Sequence, residues 1–181
     1  MDEQLLRAVN ALTASPAWAA AGTLLSSRWM IPLICGPVLV VLLKQRRIWA
    51  ILSIALAMGC GDLVTARILK PLIGRERPCR ALQGLQPAAK CGAGESMPSG
   101  HATVAFAFLV SAAPTVRLGW WLLTPVASGV AGSRVLLGVH YPSDITAGAL
   151  VGSLVGLGAG YLRRRKERPL TESKPSPTSS R

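Results

Sequence analysis

Long apolar segments alternate with short polar or basic turns along most of the chain. Five of these segments predict membrane-spanning helices, and they occupy residues 29–43, 48–69, 102–113, 118–137 and 142–162. Together they predict an all-α fold, a polytopic transmembrane helix bundle. The membrane-embedded domain would comprise residues 29–162, with one longer polar loop at 70–98.

Residues 1–28 have a different pattern. Apolar side chains share one face of a predicted helix at Leu5, Leu6, Val9 and Leu12. Pro16 then interrupts this helix. The pattern is typical of an amphipathic helix that lies in the membrane interface. A first transmembrane segment over residues 5–27 is the alternative, so five or six spans are open.

Half of the residues are hydrophobic and the mean hydropathy is +0.40, which favours a membrane protein over a soluble one. The formal net charge of +12 would suit a nucleic-acid-binding protein. However, the basic residues cluster at 44–47 and 163–168, each directly beside an apolar segment. Cytoplasmic loops of membrane proteins have this distribution, so no nucleic-acid partner is expected. Residues 163–181 are predicted to form a basic, disordered cytoplasmic tail.

Counting the turns back from a cytoplasmic tail gives the side on which each loop lies. The turn at 138–141 and the loop at 70–98 then face the outside, whereas the turns at 44–47 and around Arg117 face the cytoplasm. The prediction is therefore a multi-pass integral inner (plasma) membrane protein. Its longer loop would be periplasmic.

Three polar motifs each lie at the end of an apolar segment, and together they contain both histidines of the chain. They are Lys70 with Arg77-Pro78, the tetrad Pro98-Ser99-Gly100-His101, and Ser133-Arg134 with His140 and Asp144. An uncompensated charge in such a place costs on the order of 2.5–3.5 kcal/mol by insertion scales. The predicted topology puts all three motifs on the outer side, so we expect them to compensate one another there.

Lys70, Arg77 and Arg134 are the cations of this predicted cluster. They predict a site for a dianion, because guanidinium forks match pairs of phosphate oxygens. Ser99 and Gly100 precede a predicted helix, whose free N–H groups and positive end would complete an anion cradle. These five residues are therefore predicted to bind phosphate.

His140, His101 and Asp144 are the candidate catalytic residues. His140 would attack phosphorus with one ring nitrogen, while Asp144 in the first turn of the last helix holds the other. His101 would protonate the leaving oxygen and later activate water, a role worth typically 10²- to 10⁴-fold. Because the cations supply charge stabilisation, no metal and no cofactor is predicted.

The three motifs, in this order and spacing, resemble the signature of the type 2 phosphatidic acid phosphatase superfamily, which also includes vanadium-dependent haloperoxidases. The flanking helices resemble those of its bacterial integral-membrane branch. The resemblance implies an all-helical fold, a phosphohistidine intermediate on His140 and His101 as the acid. It also implies phosphate contacts from Lys70, Arg77, Ser99, Gly100, His101 and Arg134.

The loop at 70–98 also carries two cysteines and three further cations. Cys79 and Cys91 flank its polar part, and in an oxidising compartment a disulfide between them would add roughly 3 kcal/mol by loop-closure entropy. Whether the two are bridged stays open. The other cations of the loop are interpreted as solvated charges or headgroup contacts, and they are Arg75, Arg80 and Lys90.

The sequence thus predicts a metal-independent lipid phosphatase whose partners are the bilayer and a lipid phosphate. Candidate substrates are undecaprenyl pyrophosphate, which the compact loop favours, phosphatidic acid, phosphatidylglycerol phosphate and lipid A phosphates. Alternative hypotheses are a vanadate-dependent haloperoxidase-like enzyme, a non-enzymatic anion-binding membrane protein and a lipid phosphotransferase. The oligomeric state is open.

Overall fold

The computed structural model describes residues 1–167, and within that range it contains helices and turns but no β-strand. The helices are α1 (Asp2–Ala11), α2 (Pro16–Leu25), α3 (Met30–Lys44), α4 (Ile48–Val64), α5 (Lys70–Ile73), α6 (Pro78–Ala81), α7 (Gly100–Ala112), α8 (Gly119–Leu136) and α9 (Pro142–Glu167). Short 3₁₀ turns follow α1 and α7, and a π-helical turn, Thr65–Leu69, joins α4 to α5. The all-α prediction is confirmed.

Helix length and apolarity identify the candidate spans. Among the described residues, two helical stretches are long and apolar enough to cross a membrane by themselves, Ile48–Ala81 and α9. A third span results if α2 and α3, which meet at a bend of 50°, are counted together. The shorter helix Gly100–Thr115 is also apolar. The fold therefore has at least two apolar candidate spans, and a helix lies at each of the five predicted ones.

α9 packs closely against α7 through glycines that follow each other one turn apart. A Cβ atom on Gly148 would lie 2.5 Å from the carbonyl oxygen of Ser99. Gly152 lies in the same way against the carbonyl of Thr103, so the two backbones are in direct contact. Small residues at such positions allow a close helix approach. This contact fixes the beginning of α7 against the beginning of α9.

α1 packs onto the turn between α8 and α9. Leu6 is fully buried in a cluster with Val135 and Tyr141. Asn10 donates from Nδ2 to the carbonyl oxygen of Leu136 at 2.9 Å. The apolar face that suggested an interfacial helix is therefore covered, around Leu6, by the protein itself.

The basic turns meet at the end of the bundle where α4 begins and α9 ends. Arg47 donates to the carbonyl oxygen of Thr115 at 3.0 Å, and Arg163 donates to that of Ser111 at 3.2 Å. These contacts hold the turn before α4 and the end of α9 against the end of α7 and the turn that follows it.

The end of α9 corrects one prediction. The helix continues through Glu167, so residues 163–167 are helical and the prediction of disorder is wrong for them. The physical reason is that Arg163 is only 5% exposed and packs into the bundle. The rest of the predicted tail, 168–181, lies outside the described residues.

Candidate active site

The three motifs meet at one end of the bundle, opposite Arg47 and Arg163. Helix ends position them, with Lys70 at the start of α5, Arg77 before α6, Ser99 before α7, Arg134 in the last turn of α8 and Asp144 in the first turn of α9. The amide of Ser99 donates to the carbonyl oxygen of Asp144 at 3.0 Å, which joins the second motif to the third. Arg77 contacts His140, which joins the first motif to the third.

His140 lies in the turn between α8 and α9 and is 2% exposed. Its Nδ1 is 3.3 Å from Oδ2 of Asp144, and its Nε2 accepts a hydrogen bond from Nη1 of Arg77 at 3.2 Å. These partners fit the tautomer that carries its proton on Nδ1. Burial lowers the pKa of His140 to about 4. The charge of Arg77 also lowers this pKa, whereas the hydrogen bond with Asp144 raises it. The ring is therefore neutral at pH 7, as a nucleophile must be.

Asp144 is fully buried, and its carboxylate is surrounded by donors. Oδ2 accepts from the amide of Tyr141 at 2.8 Å, from the hydroxyl of Ser96 and from His140. Oδ1 accepts from Nη1 of Arg75 at 2.9 Å. With both oxygens engaged, the carboxylate has one orientation, and that orientation holds the ring of His140.

Two partners of Asp144 were missed at the level of sequence. Arg75 was interpreted as a solvated charge, but its side chain is 28% exposed and pairs with Asp144. Its position two residues before Arg77, inside the first motif, was a usable signal. Ser96 is a serine in a polar loop and gave no signal. Arg80, in contrast, donates to loop carbonyls, including that of Ala93 at 2.9 Å, and lies 4.0 Å from the carboxylate of Glu76.

The loop after α6 closes over Arg77. Arg77 donates from Nε to the carbonyl oxygen of Gly94 at 2.9 Å, and a Cβ on Gly92 would lie 3.2 Å from its guanidinium carbon. Cys79 and Cys91 form a disulfide with their Cα atoms 6.0 Å apart. The disulfide ties this loop to α6, directly beside the Arg77 backbone.

Lys70 follows the π-helical turn, a rare element that is frequent at functional sites. Thr65 in that turn donates to the hydroxyl of Thr103 on α7 at 3.1 Å. Lys70 itself donates from Nζ to the carbonyl oxygen of Glu95 at 2.5 Å. It is close enough to Arg77 and Arg134 for their charges to act on it.

Two of the predicted phosphate ligands have buried polar atoms without a partner within residues 1–167. They are Oγ of Ser99 and Nε of Arg134. Arg134 uses another donor, Nη1, to contact the hydroxyl of Ser26. A buried unpaired donor costs about 1–3 kcal/mol, so these atoms suit contact with the oxygens of a phosphate.

His101 faces an apolar cavity of 470 Å³. The cavity follows α7 from Gly100 to Phe108 and is closed by side chains of α3, α4 and α8. The bend between α2 and α3 contributes Ser26, Ser27 and Arg28 to its wall. These three were also missed, although they form a polar break between apolar segments, the same signal that marked the three motifs.

Comparisons with known proteins identify the family of this chain. Residues 47–168 match the family model described as the PAP2 superfamily. A decaprenylphosphoryl-5-phosphoribose phosphatase from Mycobacterium tuberculosis is 34% identical over 148 residues, which cover 76% of this chain and 76% of the relative. A lipid A 4'-phosphatase from Bacteroides thetaiotaomicron is 26% identical over 189 residues, which cover 98% and 83%.

One solved structure supports the fold. A transmembrane PAP2 type phosphatidylglycerolphosphate phosphatase from Bacillus subtilis superposes with a TM-score of 0.72 at 24% sequence identity. The superposition covers 92% of this chain and 86% of that one. Since the family model matches well over half of the chain, the chain belongs to the PAP2 superfamily.

Proposed function

We propose that this protein is a metal-independent membrane lipid phosphatase that works through a phosphohistidine on His140. The observation that carries the proposal is the pair of contacts made by the imidazole. Nδ1 faces the buried carboxylate of Asp144 at 3.3 Å, and Nε2 faces Arg77 at 3.2 Å. The nucleophilic nitrogen thus lies beside a phosphate-binding cation.

In the first half of the reaction, the lone pair of His140 Nε2 attacks phosphorus and the bond to the leaving oxygen breaks. Arg77 transfers its hydrogen bond from Nε2 to a phosphate oxygen as the new P–N bond forms. Asp144 stabilises the positive charge that develops on the ring. His101, on the cavity side, starts this step as the imidazolium and donates its proton to the leaving oxygen. Burial and the neighbouring cations lower the pKa of this ring to about 4, so the negative charge of the bound phosphate must hold that proton on the ring.

In the second half, His101 accepts a proton from water, whose oxygen attacks phosphorus. The P–N bond breaks and its electron pair returns to Nε2 of His140. Inorganic phosphate leaves, and the net reaction has added one water across the phosphoester bond. Both histidines end in their starting protonation states.

Charge stabilisation comes from side chains in this proposal. Lys70, Arg77 and Arg134 face a site where Asp144 is buried and already paired. Preorganised cations of this kind stabilise the charge that spreads over the phosphoryl oxygens in the transition state. This is the support for a metal-independent mechanism.

The apolar cavity beside His101 supports a lipid as the leaving group. The substrate class is a lipid phosphomonoester or diphosphate, such as undecaprenyl pyrophosphate, phosphatidic acid, phosphatidylglycerol phosphate or a lipid A phosphate. The named activities of the relatives, on a prenyl-linked sugar phosphate and on lipid A, fall in the same class.

We also infer a five-span topology with the site at the periplasmic surface and the end of α9 in the cytoplasm. The positions of Arg47 and Arg163, at the end of the bundle opposite His140, support this orientation through the positive-inside rule.

The test is phosphate release from these four lipid classes by detergent-purified protein in EDTA. The wild type is compared with His140→Ala and with Lys44→Gln, a loss of an exposed cation at the end of α3, where the bundle lies farthest from the site. Release that survives EDTA and Lys44→Gln but is lost in His140→Ala supports the proposal. Equal release by His140→Ala, or release abolished by EDTA, contradicts it. Phosphorylated acceptor lipid would instead indicate a transferase, and halide oxidation with added vanadate a haloperoxidase.

A further inference from the structure

Asp2, near the beginning of α1, reaches the first turn of α9. Its Oδ1 accepts from the amide of Ser143 at 3.0 Å, and its Oδ2 contacts the hydroxyl of the same residue. Oδ2 also accepts from Nη2 of Arg75 at 2.7 Å. Partial burial opposes ionisation, but these hydrogen bonds outweigh it and hold the pKa of Asp2 below its ordinary value.

Arg75 connects Asp2 to Asp144. Its Nη1 donates to Oδ1 of Asp144 at 2.9 Å and to the hydroxyl of Ser143 at 2.6 Å. Its guanidinium lies over the ring of Tyr141, 3.8 Å from the centroid, which is a favourable cation–π distance. Two anions, one hydroxyl and one aromatic face therefore define a single position for this cation.

The docking of α1 makes this connection rigid. Buried Leu6 and the hydrogen bond from Asn10 hold α1 on the α8–α9 turn, so Asp2 is presented at a fixed place. α1 lies outside residues 47–168, which the family model matches. The contact is thus an addition of the N-terminal helix to the matched domain.

We propose that Asp2 is a positioning residue for His140, acting through Arg75 and Asp144. The proposal rests on the proposed function, because it takes His140 as the nucleophile. Asp2 balances the charge of Arg75 and holds the guanidinium so that it orients Asp144. Asp144 in turn sets the tautomer and the basicity of the imidazole.

Charge balance gives the direction of the expected effects. The charged or titratable groups around the His140–Asp144 pair are Lys70, Arg75 and Arg77 from the segment of the first motif, His101 from α7, Arg134 from α8, Tyr141 from the α8–α9 turn and, through Arg75, Asp2 from α1. Loss of the Asp2 charge leaves Arg75 unbalanced and disfavours a proton on His140. Loss of the Arg75 charge has the opposite effect, because it favours a proton on His140.

The experiment compares kcat, KM and the pH profile of kcat/KM for Asp2→Asn, Asp2→Glu, Arg75→Gln and the Asp2→Asn/Arg75→Gln double variant. Asn at position 2 keeps an acceptor for Ser143, so α1 stays docked. Glu3→Gln on the same helix is the matched control, because Glu3 pairs with exposed Arg7 at 2.8 Å and not with the site. All variants are run beside wild type and His140→Ala on the same lipid phosphate.

We expect Asp2→Asn to lower kcat roughly 10-fold, within the range of couplings between contacting residues, with KM changed less than about twofold. The acid limb of the kcat/KM profile moves to lower pH in Asp2→Asn and to higher pH in Arg75→Gln. Asp2→Glu retains the wild-type acid limb because the charge is retained. In the Arg75→Gln background, Asp2→Asn has little further effect on kcat.

Unchanged kcat and acid limb in Asp2→Asn overturn the inference, and so do additive losses in the double variant. If Asp2→Asn unfolds, the acid limbs of Asp2→Glu and Arg75→Gln still decide, since equal limbs in all folded variants overturn it. These outcomes differ from failure of the proposed function, which is signalled by full activity of His140→Ala.

Discussion

At the scale of single residues, the site depends on one imidazole whose two nitrogens have different partners. Asp144 fixes the proton on Nδ1 of His140, and Arg77 approaches the lone pair on Nε2. Burial lowers the pKa of the ring, the charges of Arg77 and Arg134 lower it further, and the hydrogen bond with Asp144 opposes them only in part. The consequence is a neutral, oriented imidazole, which is what the proposed nucleophilic role requires.

The low pKa of His140 predicts an acid-tolerant enzyme. His140, the proposed nucleophile, stays neutral until the pH falls towards about 4, so the acid limb of kcat/KM should lie well below the ordinary histidine value of 6.5. The limb is read after correction for the second ionisation of the substrate phosphate, near pH ~6. An acid limb at 6.5 contradicts the environment described for His140.

Stability has a related pH dependence with a definite sign. The unfolded chain takes up a proton on His140 near pH 6.5, whereas the folded protein does so only near pH 4. The unfolded state binds more protons in this window, so the free energy of unfolding falls as the pH drops from 6.5 towards 4. Thermal unfolding in detergent across this window measures the effect, and removal of the imidazole in His140→Ala should reduce it.

The residues that could be predicted from sequence are those whose spacing reports on local structure. Pro142 suits the first turn of α9, and it places Asp144 one turn from His140. Ser96 and Asp2 reach Asp144 across 48 and 142 residues of chain, the first directly and the second through Arg75. Such contacts depend on how a loop folds and where a helix docks, which no local spacing encodes.

At the scale of elements, the contact between α7 and α9 sets the geometry of the site. Ser99 directly precedes α7, which begins with Gly100 and His101, while α9 carries Asp144 in its first turn. Gly148 and Gly152 bring the two backbones into contact, so any added volume there would separate Ser99 and His101 from Asp144 and His140. The five long helices were predictable from apolar segments. The bend between α2 and α3 was not, because the composition of two segments does not indicate the angle between their helices.

Gly152→Ala is therefore expected to impair both stability and activity. Its Cβ would lie 2.9 Å from the amide nitrogen of Ala107, a backbone atom that cannot move aside alone. Overpacking of this kind costs typically 1–3 kcal/mol, and it should lower Tm and kcat/KM together.

Gly158→Ala on the same helix is the control. A Cβ there meets nothing within 4 Å, and alanine is the better helix former. Thermal unfolding and lipid phosphate hydrolysis are measured for both variants. An unaffected Gly152→Ala protein would mean that α7 and α9 are not held at the distance described.

At the scale of the whole molecule, three parts of the chain contribute to the candidate site and to the cavity beside His101. The matched domain supplies the histidines and the cations, the α2–α3 bend supplies polar residues of the cavity wall, and α1 supplies Asp2. The sequence located the first part through its motifs. It described residues 1–28 only by their apolar face, because that pattern does not distinguish a face buried in lipid from one buried against protein.

The cavity predicts a dependence on lipid chain length. Ala105 lies one turn beyond His101 on the cavity wall, so Ala105→Trp should fill the space below His101. KM for long-chain lipid phosphates should rise roughly 10-fold, equivalent to a loss of ~1.4 kcal/mol. Hydrolysis of a short, water-soluble phosphoester should change little. Ala55→Trp, on an exposed position of α4, is the control, and equal effects on both substrates would exclude the cavity as the lipid site.

The most direct measurement of the central claim is the trapping of a phosphoenzyme. Purified protein is mixed with a lipid substrate that carries ³²P in its transferred phosphate and is quenched in alkali within the first turnover. The account predicts protein-bound label that is stable in alkali, labile in acid, mapped to His140 and absent from His140→Ala. Active wild-type enzyme without such label, or label retained in His140→Ala, would contradict it.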